Sequence, residues 1–311
     1  LSNLESAPQE HDIDRATCGS RLLEAREVPL GGVRAMTVRR TLPSREIPLI
    51  GAWCFLDEMG PESAGMTVLP HPHIGLQTVT WPLSGEIRHR DALGSDVVLR
   101  PGELNIMTSG RGISHSEVTA PGVVLHGLQL WVALPADAAG GTSLFEQHRA
   151  LPVFTAAGVR GVVFVGELGG VRSPATVFSP LVGAELVVEP GTAALPLRED
   201  FEYGVLVVEG SVEVDGRTLE AGPLLYLAPG RSSLDLSSVD GARLVLLGGE
   251  PFADELVMWW NFVGRTHEEI VAARDDWEHH DARFGSVAGH GAERIPAPPL
   301  PPLRLTPRRR G

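Results

Sequence analysis

Residues 65–85 read GMTVLPHPHIGLQTVTWPLSG, and residues 191–210 read GTAALPLREDFEYGVLVVEG. In the first stretch Gly65 is followed at +6 and +8 by His71 and His73, at +12 by Gln77, and then by Gly85. In the second, Gly191 is followed at the same offsets by Leu197, Glu199 and Tyr203, and then by Gly210. The two Gly-to-Gly intervals, 20 and 19 residues, differ by one. Each stretch continues into an apolar run and a turn marked by Pro101-Gly102 in the first half and by Gly222-Pro223 and Pro229-Gly230 in the second. Self-similarity at this spacing points to two copies of one β module.

The rest of the chain agrees with a mostly β reading. Gly (36) and Pro (25) punctuate short runs rich in Val, Leu and Ile, among them Gly122 to Leu134, Leu181 to Val188, Val205 to Val208 and Ala242 to Leu247, the pattern of many short strands joined by turns. Val212 and Val214 run into Asp215-Gly216, a hairpin signal. The clearest helix signal is Thr266-His-Glu-Glu269, where Thr and Glu at capping-box spacing open a helix expected to reach about His280. The first 20 residues read as loosely ordered. Residues 295–311 (IPAPPLPPLRLTPRRRG) hold too much proline for a helix or central strand and read as an extended arm or linker with solvated terminal arginines. A length of 311 residues suits two domains, expected at 1–137 and 138–311, with the Pro/Arg-rich tail from about 295.

Composition narrows the function classes. A hydrophobic content of 43% with 21% charged residues is that of a globular protein. The formal net charge of -13 argues against a surface built to neutralise phosphates, so nucleic acid is not an expected partner. All 26 basic residues are Arg, a composition bias that carries no chemistry of its own. Cys18 and Cys54 alone make no disulfide scaffold or zinc ribbon, which suits a reducing cytoplasm. No run of about 18 apolar residues and no apolar leader segment is present, so neither membrane insertion nor secretion is expected.

Two short motifs carry the chemistry. In His71-Pro72-His73 two imidazoles stand two residues apart, and side chains at that spacing on a strand share a face. His115-Ser116-Glu117 repeats the arrangement with one imidazole and one carboxylate. Two such pairs on neighbouring strands can close on one ion. Three neutral imidazoles and a carboxylate suit Fe(II), Mn(II), Ni(II), Cu(II) or Zn(II), and four protein donors on a six-coordinate ion leave two positions for a ligand. The second half lacks every imidazole at the matching positions, with Leu197 and Glu199 for the first pair and Ser233 and Asp235 near the second.

At these residues the chain resembles the pirin family. His71 to Gly85, Arg88 to Asp91 (RHRD) and Pro101 to Glu117 (PGELNIMTSGRGISHSE) are similar to the signature stretches of pirins, and Phe55 to Pro61 (FLDEMGP) and Gly127 to Val132 (GLQLWV) fit too. The resemblance covers about Arg34 to Pro135 specifically and the second half more loosely. It implies two tandem cupin (jelly-roll) β-barrels with a short C-terminal helix, and one metal, usually iron, held by His71, His73, His115 and Glu117. It also implies quercetin 2,3-dioxygenase activity for some members and a non-enzymatic role as a nuclear transcription cofactor for animal ones. Gln77 departs from the pattern, standing where the general cupin motif and many pirins have Glu.

Two function classes follow. The first is a metal-dependent dioxygenase acting on a flavonol or related aromatic enol, with Glu117 as the catalytic proton acceptor. The second is a non-enzymatic regulator whose metal or redox state alters a surface for a protein partner. Phe55, Leu56, Trp81 and Met107 are candidate apolar walls of the site, and Asn105 lies with Met107 on the strand leading to the metal loop.

Other chemistry-bearing residues read as structural. Asp57 and Glu58 face opposite ways on a strand and form no carboxylate dyad. Gly110-Arg-Gly112 is too short for a dinucleotide fingerprint and reads as the tight loop that delivers His115. His89, two residues before Asp91, reads either as a hydrogen-bonding neighbour of the site or as an ordinary capping histidine. His126 reads as structural, His267, His279 and His280 as helix-associated, and Trp259-Trp260 as packing.

Overall fold

The computed structural model describes residues 19–30, 36–63 and 65–307. Cys18, Arg34, the first 18 residues and the terminal arginines lie outside them. The chain forms two β-sheet-rich subdomains and a short C-terminal helix, and every pairing between named strands is antiparallel.

The first subdomain has two sheets. The four-stranded sheet runs in the order Met66–His73, Ile113–Thr119, Ile87–Asp91, Asp96–Leu99. The seven-stranded sheet runs Leu144–His148, Leu104–Thr108, Leu76–Ser84, Leu125–Ala133, Trp53–Glu62, Thr37–Leu42, Arg26–Pro29. In the second subdomain the central path is Ser20–Leu23, Leu224–Leu227, Glu202–Val214, Ala242–Gly249, Leu181–Val188, Val159–Leu168, Val153–Ala156. The repeat is visible in the pairings, since Met66–His73 pairs with Ile113–Thr119 as Gly191–Pro196 pairs with Ser233–Ser238. Asp215 and Gly216 both have positive φ (52° and 73°) in the tight hairpin that returns Val214 onto Arg217, as that dipeptide signals.

The subdomains exchange edge strands. Ser20–Leu23, from the N-terminal half, pairs with Leu224–Leu227, and Leu144–His148, from beyond residue 137, pairs with Leu104–Thr108. The two-residue strand period then gives each large sheet two distinct faces. Val79, Trp81, Leu128 and Leu130 of the first half share one apolar cluster with Phe164, Leu206, Val245 and Leu247 of the second. Val205, Val207, Leu244 and Leu246 alternate with those residues and fill the second subdomain's own interior. Trp53 donates its indole N–H toward the carbonyls of Val182 (3.1 Å) and Gly248 (3.2 Å) across the junction. Trp81 stacks on Phe164 (4.7 Å) and donates to Glu185 (2.6 Å).

The C-terminal segment returns to the first subdomain. The helix His267–Glu278 starts at Thr266, whose hydroxyl accepts from Glu269 N, and buries Ile270, Ala273 and Trp277. These three pack with Trp259, Trp260, Phe262 and Phe284 against Met66, Ile74 and Ile87. The proline-rich segment read as an arm or linker is docked. Ile295, Ala297 and Leu305 are buried, Ile295 N bonds Pro70 O (2.9 Å), and Trp277 donates to Ile295 O (2.9 Å). Isolated apolar residues between prolines sufficed, because an extended strap buries side chains without needing a ladder.

Two predictions follow from the packing. Gly51, at φ +54°, sits at the junction, where an added Cβ would stand 2.6 Å from Gly249 Cα. Gly51→Ala should therefore destabilise the protein by about 2 kcal/mol or more, a clear loss in a thermal melt. Tyr203 is buried with its hydroxyl accepting from Arg198 N (2.7 Å), and burial pushes its phenol up to about 12. Its contribution to stability is fully present below the ordinary tyrosine value and is lost as pH rises through the folded one. Alkaline absorbance titration of the two tyrosines should show one transition near pH 12, absent in Tyr203→Phe.

Candidate metal centre

Register brings the sequence motifs together. His71 and His115 are direct partners across the Met66–His73 and Ile113–Thr119 strands, and His73 lies opposite Ile113. The ladder then slips, so that Glu117 faces Val68 rather than the residue two before His71. Leu69 and Pro70 take up the extra length of the strand that carries the first pair, and Pro70 has no N–H to lose from the ladder.

All three imidazoles are fully buried, and one ring nitrogen of each lies within 4.8 Å of the others. Ring centres are 4.4 Å apart for His71 and His115 and 5.1 Å apart for the other two pairs. His71 Nδ1 contacts Leu69 O (2.9 Å) and His73 Nδ1 contacts Asn261 O (3.0 Å). Carbonyl oxygens only accept, so in both rings Nδ1 carries the proton and Nε2 keeps its lone pair. His71 Nε2 is buried with no hydrogen-bond partner, and the Nε2 atoms of His73 and His115 approach to 3.1 Å. Burial holds all three histidines well below the ordinary range, neutral and ready to donate.

Glu117 belongs to a second, overlapping group. It offers a carboxylate oxygen within 4.8 Å of ring nitrogens of His115 and His89. Burial acts to raise its carboxyl, but attraction to charged groups prevails and holds it below the ordinary glutamate value. Thr80 Oγ1 lies 3.2 Å from Glu117 Oε1. His89 meets His115 Nδ1 through its own Nδ1 (3.4 Å) and meets Asp91 through Nε2 (3.1 Å), so it is the neighbour that orients His115. The orphaned nitrogen, the close Nε2 pair and the nearby ionised carboxylate are the donor chemistry a divalent metal requires.

Strand alternation sorts the remaining candidates. Phe55, Trp131, Thr78 and Met107 form one cross-strand row, with Trp131 stacked on Phe55 (4.0 Å) and edge-on to His73 (5.2 Å). Phe55 and Met107 therefore share the face of the site, whereas Leu56 and Trp81, one residue out of phase, point to the second subdomain and are not walls of it. Asn105 lies opposite Thr80 on the site-facing side. Gln77 is also out of phase, donating from Nε2 to Thr108 Oγ1 (2.9 Å) and Thr176 O (3.0 Å). A carboxylate there could not donate to a carbonyl, which gives Gln its own reason at this position.

Asp57 pairs with buried Arg40 (2.7 Å), and Glu58 with Arg39 (2.6 Å) and His126 (2.8 Å), so the acids are structural and on opposite faces. His267 Nδ1 accepts from Leu305 N (3.1 Å), His279 Nδ1 contacts Asp275 O (2.7 Å), and His280 is exposed. In the second subdomain Glu199, Ser233 and Asp235 are exposed, and Leu197 packs against the apolar interior. Sequence reasoning missed Asn261, because nothing marks a loop carbonyl 188 residues away as the partner of His73.

Comparison with known proteins agrees with this geometry. The Pirin family model matches residues 33–132 and the Pirin C-terminal cupin domain model matches residues 184–285. A Pseudomonas aeruginosa protein provisionally named a quercetin 2,3-dioxygenase is 43% identical over 309 residues, 97% of this chain and 95% of its own. A pirin-like protein from Caulobacter vibrioides is 37% identical, over 89% of this chain and 98% of its own. A crystal structure of quercetin 2,3-dioxygenase from Acinetobacter baumannii superposes with a TM-score of 0.87 at 39% identity, covering 92% of this chain and 98% of that one. On its sequence motifs, its paired β subdomains and this full-length similarity, the chain belongs to the pirin family.

Proposed function

We propose that this protein is a metal-dependent dioxygenase of quercetin 2,3-dioxygenase type, acting on a flavonol or related aromatic enol. In this reading His71, His73, His115 and Glu117 hold one divalent ion, iron by preference, inside a cupin jelly-roll barrel formed by the two facing sheets of residues 1–137. Residues 138–311 form the degenerate cupin, with the exchanged edge strands joining the two. The observation that carries the proposal is the buried, unpartnered His71 Nε2 beside the 3.1 Å approach of His73 and His115. The names of the P. aeruginosa and A. baumannii relatives support the substrate class.

When bound, the metal supplies a Lewis acid that makes a coordinated enol easier to deprotonate. The chain supplies the rest. Glu117, buried and held in its ionised form, accepts the enol proton. The Leu69 and Asn261 carbonyls and the His89–Asp91 pair hold the three imidazoles in one tautomer each. Phe55 and Trp131, stacked at 4.0 Å, give an aromatic substrate a flat apolar wall and exclude water from the site. The alternative reading, a regulator that signals its metal state to a protein partner, uses the same donors without turnover.

Elemental analysis of the purified protein should find one transition metal per chain, lost in His115→Ala. His89→Ala should keep the fold and weaken metal affinity by about 10- to 100-fold in a chelator competition. Iron-loaded protein incubated with quercetin in air should consume the flavonol absorbance together with oxygen. A rate no greater than that of His71→Ala would remove the enzyme reading for this substrate and leave the regulator.

A further inference from the structure

The site-facing side of the seven-stranded sheet carries a polar row one pleat away from the aromatic row. Arg40 faces Asp57, Asp57 faces Gln129, Gln129 faces Thr80 and Thr80 faces Asn105, each directly across its neighbouring strand. One end of the row is internally satisfied, because Arg40 and Asp57 share two 2.7 Å bonds. The other end is not. Gln129 Nε2, Asn105 Oδ1 and, in the adjacent row, the Trp131 indole N–H are buried without a hydrogen-bond partner. The three residues are 0%, 3% and 1% exposed. Buried polar atoms cost stability when left unpaired, and three beside one site leave hydrogen-bonding capacity open to the polar groups of a ligand.

Their positions tie them to the metal centre. Thr80 Oγ1 is 3.0 Å from Gln129 and 3.2 Å from Glu117. Its single proton serves the charged carboxylate, so the Gln129 amide is best turned to give Thr80 an N–H and to leave its oxygen unpaired. In either orientation each carboxamide keeps one open end, while Trp131 offers only a donor. A hydroxyl donates and accepts, and so matches a carboxamide whichever way it faces. Gln129 and Asn105 are two strand spacings apart, roughly 10 Å, about the reach of two joined aromatic rings.

We propose that Gln129, Asn105 and Trp131 form the specificity row of the site, reading the hydroxyl and keto oxygens that a polyhydroxylated, multi-ring aromatic substrate carries away from its reacting enol. The inference rests on the dioxygenase reading and adds which substrates it takes. Bare ring systems would meet the same apolar wall of Phe55 and Trp131 but leave the row unpaired, and a site built around polar groups discriminates strongly against ligands that lack them.

The test uses zinc-loaded protein without dioxygen, so that no turnover occurs, titrated calorimetrically with quercetin and with 3-hydroxyflavone, which keeps the enol and lacks the other hydroxyls. Wild type should bind quercetin about 10-fold or more tightly than 3-hydroxyflavone. Gln129→Met and Asn105→Leu should each lose most of that preference by weakening quercetin alone. Replacing Trp131 by the benzothiophene analogue of tryptophan keeps both rings on Phe55, exchanges only the N–H for sulfur, and should behave likewise. Ligand-free, it should melt at or above the wild-type temperature, because it sheds an unpaired buried donor; a structural tryptophan N–H would give the opposite. Folded variants that keep the wild-type preference, or a wild type that binds both flavonols equally, overturn the specificity row while the dioxygenase reading stands. A wild type that binds neither flavonol overturns the substrate class itself, and the row with it.

Discussion

Burial away from bulk solvent governs the first subdomain. Three imidazoles packed at full burial cannot share protons with solvent, so each ring nitrogen must find a fixed partner or remain empty at a cost of a few kcal/mol. Two Nδ1 atoms meet backbone carbonyls and the third meets His89, which turns the other edges of the rings toward a common space. The register that sets His71 opposite His115, the loop that brings Asn261 to His73, and the docked C-terminal segment that carries that loop all serve this arrangement.

The two subdomains divide the work between them. The same strand pairing that displays His71, His73, His115 and Glu117 in the first displays Ala193, Leu195, Leu234 and Leu236 toward the interior of the second. An apolar interior stabilises directly, at about 25 cal/mol per Å² of buried apolar surface, whereas the first interior spends burial on imidazoles, carboxamides and a carboxylate. The broad apolar junction through Val79, Trp81, Leu130, Phe164 and Leu247 couples the polar module to its apolar copy. Exchange of the edge strands makes separation of the two costly.

How legible the site was depended on distance along the chain. His71-Pro72-His73 and His115-Ser116-Glu117 were readable because a strand's two-residue period fixes which side chains share a face. The capping Thr266, the Asp215-Gly216 hairpin and the two-copy repeat were readable for the same local reason. The same rule, applied with the phase known, excludes Leu56 and Trp81 from the site and admits Phe55 and Met107, but phase is a property of the folded sheet.

Sequence by itself determined the β class, the duplication, the candidate metal donors and the family, since each rests on spacings inside short stretches of chain, wherever those stretches lie. Tertiary structure alone decided that Asn261 fixes His73, that His89 rather than a carbonyl meets His115, and that Gln77 turns to Thr176 of the other subdomain. It also decided that residues 257–305 cover the first subdomain, and that Gln129, Asn105 and Trp131 face the site unpaired. These depend on strand register and on segments tens to hundreds of residues apart. Their pairing is selected by the burial of the whole core, which no local pattern of residues encodes.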